Sequence, residues 1–130
     1  MYIQQRQTKV FFEKNAKNWQ KKADIKKNKK LNTIQERNFY VVDKIKLLKI
    51  NSLIDIGCGT GDLSFDASKI INESVGIDFS KNMINLAKKK FKRKNLKFYN
   101  DNFFNFDPGQ KFDCLSANGF IEYLSLKDIK

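Results

Sequence analysis

Apolar positions along this chain change their spacing near residue 50, from a helical period to the short solid runs of buried strands. Before that point, VFFEKNAKNWQKKA at 10–23 places Phe11, Phe12, Ala16 and Trp19 at separations compatible with one helical face. KKNKKLN at 26–32 has almost no apolar content and reads as a mobile connector. A second helix is predicted over 33–48, with Ile34, Tyr40, Val41, Ile45 and Leu48 as its buried stripe and Thr33 with Glu36 as a capping box. Asn51 and Ser52 break that pattern.

Beyond it, SLIDIG at 52–57 is an apolar run closed by glycine, the pattern of a buried parallel strand. A helix is predicted over 62–71, a second strand at SVGID (74–78), and a helix over 81–92 capped by Ser80. Met83, Ile84, Ala87 and Phe91 form the apolar face of the latter. LKFYN at 96–100 gives a third strand, and KFDCLSA at 111–117, after a loop with Pro108 and Gly109, a fourth. Such alternation implies βαβ units and an α/β domain with a mainly parallel sheet, preceded by N-terminal helices. Residues 1–50 then form a helical extension and 51–130 the α/β part. The chain stops at IEYLSLKDIK, just inside another expected helix, with its fourth strand left as an edge. The expectation is a truncated protein or partial reading frame; a partner chain that completes the sheet is the less favoured alternative.

Gly57, Gly59 and Gly61 alternate directly after the first strand. Glycine there permits a sharp turn with positive φ and lets a ligand approach the backbone. The helix that follows turns free N–H groups toward the same place. Asp78 ends the second strand, where one carboxylate can accept from both hydroxyls of a ribose. Three ligand classes compete for such a loop. A phosphate loop requires GxxxxGK[ST], which is absent. A dinucleotide fingerprint requires a glycine where Asp62 stands, and Asp62 would set a negative charge near a pyrophosphate. The third class is an adenosyl group carrying a zwitterionic amino acid, whose ammonium Asp55 can attract directly or through water. The competing reading without a ligand is a tight strand-to-helix turn, which Asp55, the three glycines and Asp78 together disfavour.

LIDIGCGTGDL at 53–63 resembles motif I of the class I S-adenosylmethionine-dependent methyltransferases. SVGIDFSKNMINLAKKK resembles their second-strand acid and following helix, NLKFYNDNFFNF the segment whose acid lies near adenine, and FDCLSANGFIEYLS their fourth strand. The similarity covers roughly 53–125. It implies a Rossmann-like three-layer αβα fold, with about four of the family's usual seven strands present, and a lid formed by residues 1–50. It also implies S-adenosylmethionine as cofactor, with S-adenosylhomocysteine as product, and in-line displacement at the sulfonium methyl. Asp55, Gly57, Gly59, Gly61 and Asp78 are its firmest cofactor contacts. Asp101 would accept from the adenine amino group, with Asn102 or Phe103 giving backbone contacts. Phe79 and Met83 could enclose adenine, although Met83 also fits a core position. Asn118 would contribute backbone atoms near the methionine. Arg37 stands where small-molecule O-methyltransferases of the ubiquinone pathway place a carboxylate-binding arginine; the alternative is a surface helix arginine. Cys58 joins the loop as a small residue. No catalytic base can be named, and Glu122 and Tyr123 have solvated or packing roles as the simpler reading.

Composition refines the partners. Lys and Arg number 26 against 14 Asp and Glu, a formal charge of +12. Only Arg6, Arg37 and Arg93 are arginines, and arginine is the residue suited to bidentate phosphate and base contacts. A solvated basic face is therefore favoured over a nucleic-acid partner, and a small-molecule methyl acceptor over RNA or protein. A cofactor-binding module without turnover is a further alternative. Cys114 fits the core of its strand. The absence of His excludes the common Cys/His zinc sets, so no metal site is expected. No run is long enough to span a membrane, and the start lacks a signal-peptide pattern, so a reducing cytoplasm is expected. Nothing indicates an oligomeric state.

Overall fold

The computed structural model describes residues 3–24 and 30–120, with side chains from residue 6. Two helices, α1 (Ile3–Ala23) and α2 (Thr33–Leu47), precede β1 (Ser52–Ile56), α3 (Asp62–Ser68), β2 (Glu73–Asp78), α4 (Lys81–Lys90) and β3 (Leu96–Asn100). A 3-10 turn at Phe103–Asn105 and β4 (Cys114–Ser116) follow. The strands form one parallel sheet in the order β3-β2-β1-β4. Central β1 and β2 are almost wholly buried, which is why their sequences are apolar runs rather than alternating patterns. Ile56 pairs with Ile77, so the loop after β1 and the acid ending β2 emerge at the same sheet edge.

The sheet has two unlike faces. Leu53 meets Ala67 of α3 and Ile45 of α2, while Leu96 and Phe98 meet Ile84 and Ala87 of α4. Strand register places these β residues on one face, so all three helices cover the same side. Ile54, Val75 and Ile77 point the other way and pack against Phe106 and Phe112. The second helical layer of the expected sandwich is not among the described residues. Helix α1 lies on α4, where Asn82 Nδ2 donates to the Glu13 carbonyl at 2.9 Å. Lys90 at the end of α4 lies 3.2 Å from Asp62 and 4.0 Å from Asp24, which ties the starts and ends of three helices together.

Several local expectations are corrected. The buried stripe of α1 runs through Phe12, Ala16, Trp19 and Ala23, an i, i+4, i+7, i+11 series; Phe11 is one residue off it and is 58% exposed. In α2 the stripe is Ile34, Asn38, Val41 and Ile45, which leaves Tyr40 pointing outward. Leu48 would continue that stripe, but it lies at the C-cap and is exposed. The capping box of α2 is Asn32 with Gln35, one residue before the expected pair: Asn32 is extended and accepts from Gln35 N, and Gln35 Oε1 accepts from Asn32 N. Helix α3 ends at Ser68 and α4 at Lys90, both earlier than expected. Phe91 turns extended and stacks on Phe65, with ring centroids 4.2 Å apart. Strand β4 is three residues long, within the seven expected. The expected connector at 26–29 and the segment holding Glu122 and Tyr123 lie outside the described residues. No helix among the described residues is long and apolar enough to cross a membrane.

Candidate functional site

The loop after β1 is anchored to β2 before any ligand is considered. Gly57 N and Cys58 N both donate to the Ile77 carbonyl, at 2.8 and 3.0 Å. Gly59 N donates to Asp78 Oδ2 and Ser80 N to Asp78 Oδ1, each at 2.9 Å. The Asp78 carboxylate thus locks the glycine loop to the cap of α4. Each oxygen keeps a lone pair for a further donor. Burial raises the Asp78 pKa to about 6 against the lowering effect of these two N–H groups, with Glu13 adding to the rise.

The glycines have different reasons to be glycine. Gly57 and Gly59 have φ of +69° and +55°, and both line the cleft described below. A Cβ on Gly59 would lie 3.2 Å from Trp19 Nε1, so the indole of α1 covers this turn closely. Gly61, at φ +82°, faces away from the cleft. A Cβ there would lie 2.5 Å from Phe98 Cζ and 3.0 Å from Ala87 Cβ, so this glycine permits the start of α3 to pack on β3 and α4.

At the C-terminal edge of the sheet a cleft open to solvent collects most of the expected residues. Gly57, Gly59, Asp78, Phe79, Met83, Asp101, Asn102, Phe103 and Asn118 all line it. Met83 lines the cleft and is at the same time a core residue, only 1% exposed. Asp101 is exposed; its backbone N–H donates to the Asp78 carbonyl at 3.2 Å, and its Oδ1 accepts from Asn102 N at 2.7 Å. Phe12, Trp19, Phe104 and Phe120 complete the wall and were not among the expected contacts. Phe12 shares the α1 stripe with Trp19, but the stripe alone does not reveal that α1 reaches the strand ends. Among the described residues no Lys or Arg lines this cleft, although 26 of 130 residues are cationic.

A smaller adjoining cavity shares Trp19, Gly57 and Asn118 with the cleft and adds Arg37, Asp55 and Cys58. Asp55 Oδ2 accepts from Ser64 Oγ at 2.8 Å, and burial lifts the Asp55 pKa to about 7 despite the Ser64 and Ser116 hydroxyls. Arg37 lies against Gly119, with its terminal nitrogens 3.3 and 3.4 Å from where a Cβ would stand. Its Nε is buried and has no hydrogen-bond partner. An orphaned guanidinium N–H beside a cavity fits a carboxylate ligand, since leaving such a group unpaired is costly. Cys58 turns its sulfur toward Gly76 and the cluster around Phe98. Burial and the neighbouring Asp78 raise its thiol pKa well above the ordinary range, so Cys58 is a neutral packing group. Of the thirteen expected contacts, only Gly61 lines neither space.

Residues 47–129 match the family model described as a methyltransferase domain. A demethylmenaquinone methyltransferase of Lactococcus lactis is 44% identical over 57 residues, which covers 39% of this chain and 23% of the relative. One from Oceanobacillus iheyensis is 33% identical over 64 residues, or 45% of this chain and 27% of the relative. The matched part therefore spans about a quarter of the length of these curated relatives. Among solved structures, a Synechocystis magnesium protoporphyrin IX methyltransferase with bound S-adenosylmethionine superposes with a TM-score of 0.78 at 15% identity. It covers 98% of this chain and 67% of that one, and shows the same fold. A sugar N-methyltransferase from Streptoalloteichus has a TM-score of 0.56 at 25% identity, over 66% of this chain and 35% of that one.

Proposed function

We propose, from the premise that this chain belongs to the methyltransferase-domain family, that it binds S-adenosylmethionine and serves methyl transfer to a small neutral acceptor. The observation that carries this reading is the pair Arg37 and Asp55 beside one cavity that opens on the glycine loop. The orphaned Arg37 Nε–H is a donor for a carboxylate, and buried Asp55 is an acceptor for an ammonium, so the cavity complements a zwitterionic amino acid. In the adjoining cleft, the fixed Asp78 carboxylate accepts from ribose hydroxyls. Phe79 and Met83 enclose a flat base, and Asp101 at the mouth accepts from its exocyclic amine. Asn102, Phe103 and Asn118 contribute backbone contacts. When bound, the cofactor supplies an electrophilic methyl on its sulfonium. The chain's own task is alignment of the acceptor and exclusion of water, for which the wall of Phe12, Phe103, Phe104 and Phe120 is suited.

The printed activities of the relatives, on demethylmenaquinone, a porphyrin and a sugar, support a small acceptor. A cleft lined by no cation among the described residues argues against an RNA acceptor, whose phosphates would lack partners there. Residues 1–50 serve in this reading as the lid over the cofactor and 51–130 as its binding domain, with Trp19 the covering side chain. Fluorescence of Trp19, the chain's single tryptophan, tests the cofactor class. Saturable changes with S-adenosylmethionine and S-adenosylhomocysteine but not with NAD are expected. Saturation by NAD alone would overturn the assignment.

A further inference from the structure

Seven of the ten residues from 88 to 97 are cationic, and none is acidic. The chain's average would place two cations in such a stretch. Lys88, Lys89 and Lys90 close α4, where its dipole favours positive charge. That reason does not extend to Lys92, Arg93, Lys94 and Lys97, which follow the helix. Only Lys90 of the seven is in an ion pair. The unpaired charges repel one another, and a polyanion would relieve that repulsion.

These side chains border a groove. Lys88, Lys92, Arg93, Lys94 and Lys97 line it together with the ring of Tyr99, which is 41% exposed. Strand β3 is the edge of the described sheet, and Lys97 and Tyr99 lie on the face opposite Leu96 and Phe98, with the Tyr99 ring tilted against Phe106 at 5.2 Å between centroids and the rest of it exposed. The groove starts at the N-terminal end of β3, whereas the cofactor cleft opens at the C-terminal strand ends. Among the described residues the two share no lining residue.

We propose that this groove binds single-stranded nucleic acid through its phosphates, on a surface separate from the cleft. Cations on the rim track a phosphate backbone, and an exposed tyrosine offers a ring on which a base can stack. The predominance of Lys over Arg makes the contact electrostatic and indifferent to sequence. A membrane is the poorer fit, because the aliphatic and phenyl side chains of the lining, Leu96 and Phe98 at 8% and 6% exposed and half-buried Phe91, offer little apolar surface to a bilayer. The nucleic acid bound here is not the methyl acceptor, and the proposal does not depend on methyl transfer.

Fluorescence anisotropy of a labelled oligouridylate, recorded across about 50 to 300 mM salt, tests it. With about 0.7 counterions released per single-strand phosphate contact, five rim cations predict a log–log salt slope of about −3.5. A variant with Lys92→Gln, Arg93→Gln and Lys94→Gln should bind about tenfold more weakly and lose about 2 from the slope. A variant with Lys44→Gln, Lys46→Gln and Lys49→Gln removes the same charge from the end of α2 and should stay within about twofold of wild type. Equal losses in both variants would reduce the effect to net charge and overturn the proposal. So would absence of oligonucleotide binding, or binding to phosphatidylglycerol vesicles alone.

Discussion

Replacement of Gly61 by alanine separates packing from ligand contact at the glycine loop. The new Cβ would lie 2.5 and 2.6 Å from two ring atoms of Phe98, a residue only 6% exposed, and 3.0 Å from Ala87 Cβ. Overpacking of a filled core costs about 1–3 kcal/mol. A non-glycine residue at φ +82° adds roughly 1–2 kcal/mol of backbone strain. The expected loss is therefore about 2–5 kcal/mol, a large part of the roughly 5–15 kcal/mol that holds a typical domain together. Urea denaturation followed by far-ultraviolet circular dichroism measures it. Phe98→Leu removes the ring atoms that collide, so Gly61→Ala combined with Phe98→Leu should recover the overpacking part and leave the backbone strain. Affinity of the folded Gly61→Ala protein for S-adenosylhomocysteine should remain within about threefold of wild type, because Gly61 lines neither space. A stability loss below about 0.5 kcal/mol, or a loss indifferent to Phe98, would refute the packing argument.

Arg37→Met should weaken S-adenosylhomocysteine by about 10- to 100-fold, the worth of a charge-assisted hydrogen bond, in equilibrium dialysis. It should leave the ligand-free protein as stable or more stable, since the buried Nε loses no partner; a destabilised ligand-free protein would contradict that. With Asp55 titrating at about 7 when folded and near 3.8 when unfolded, the native state holds a proton that the unfolded chain has released between those values. Stability of the ligand-free protein should therefore fall as pH rises from about 4 to 7, and Asp55→Asn should flatten that slope in urea titrations. Asp78, at about 6, contributes in the same direction over a narrower range. Ligand affinity should run the other way, rising through pH 7 as Asp55 becomes the anion that an ammonium requires, and a pH-independent isotherm would count against its role. Trp19→Phe keeps an aromatic ring over the loop and should hold affinity within about threefold, whereas Trp19→Ala should lose about tenfold in a filter assay with labelled cofactor.

The alternation of Leu53–Gly57, Ser74–Asp78 and Leu96–Asn100 with two helices, the second capped by Ser80, made the sheet legible, because buried parallel strands carry solid apolar runs. Motif spacing likewise gathered Asp78, Phe79, Asp101 and Asn118, since each follows directly from a strand end. Less legible were features set by tertiary packing. Nothing local distinguishes Gly61 from Gly57 and Gly59 until Phe98 is seen above it. Phe11 and Phe12 are neighbours in a run of two, and it is the burial of Ala16 and Ala23 on the stripe of Phe12 that shows which one turns inward. Asn32 and Thr33 are both good caps; the choice fell to Asn32 because Gln35 can return the bond. Phe104 and Phe120 belong to loops whose course no periodicity announces.

The proposed adenosyl-binding site rests on Asp78 and the loop it holds. Calorimetric titration of S-adenosylhomocysteine into wild type and Asp78→Ala tests it most directly. Saturable one-site binding to wild type is expected, with a loss of about 100-fold or more in the variant, which lacks both the ribose acceptor and the bonds to Gly59 and Ser80. Folded wild-type protein that takes up no S-adenosylhomocysteine, or an Asp78→Ala variant that binds it as tightly, would rule out an adenosyl site at Asp78.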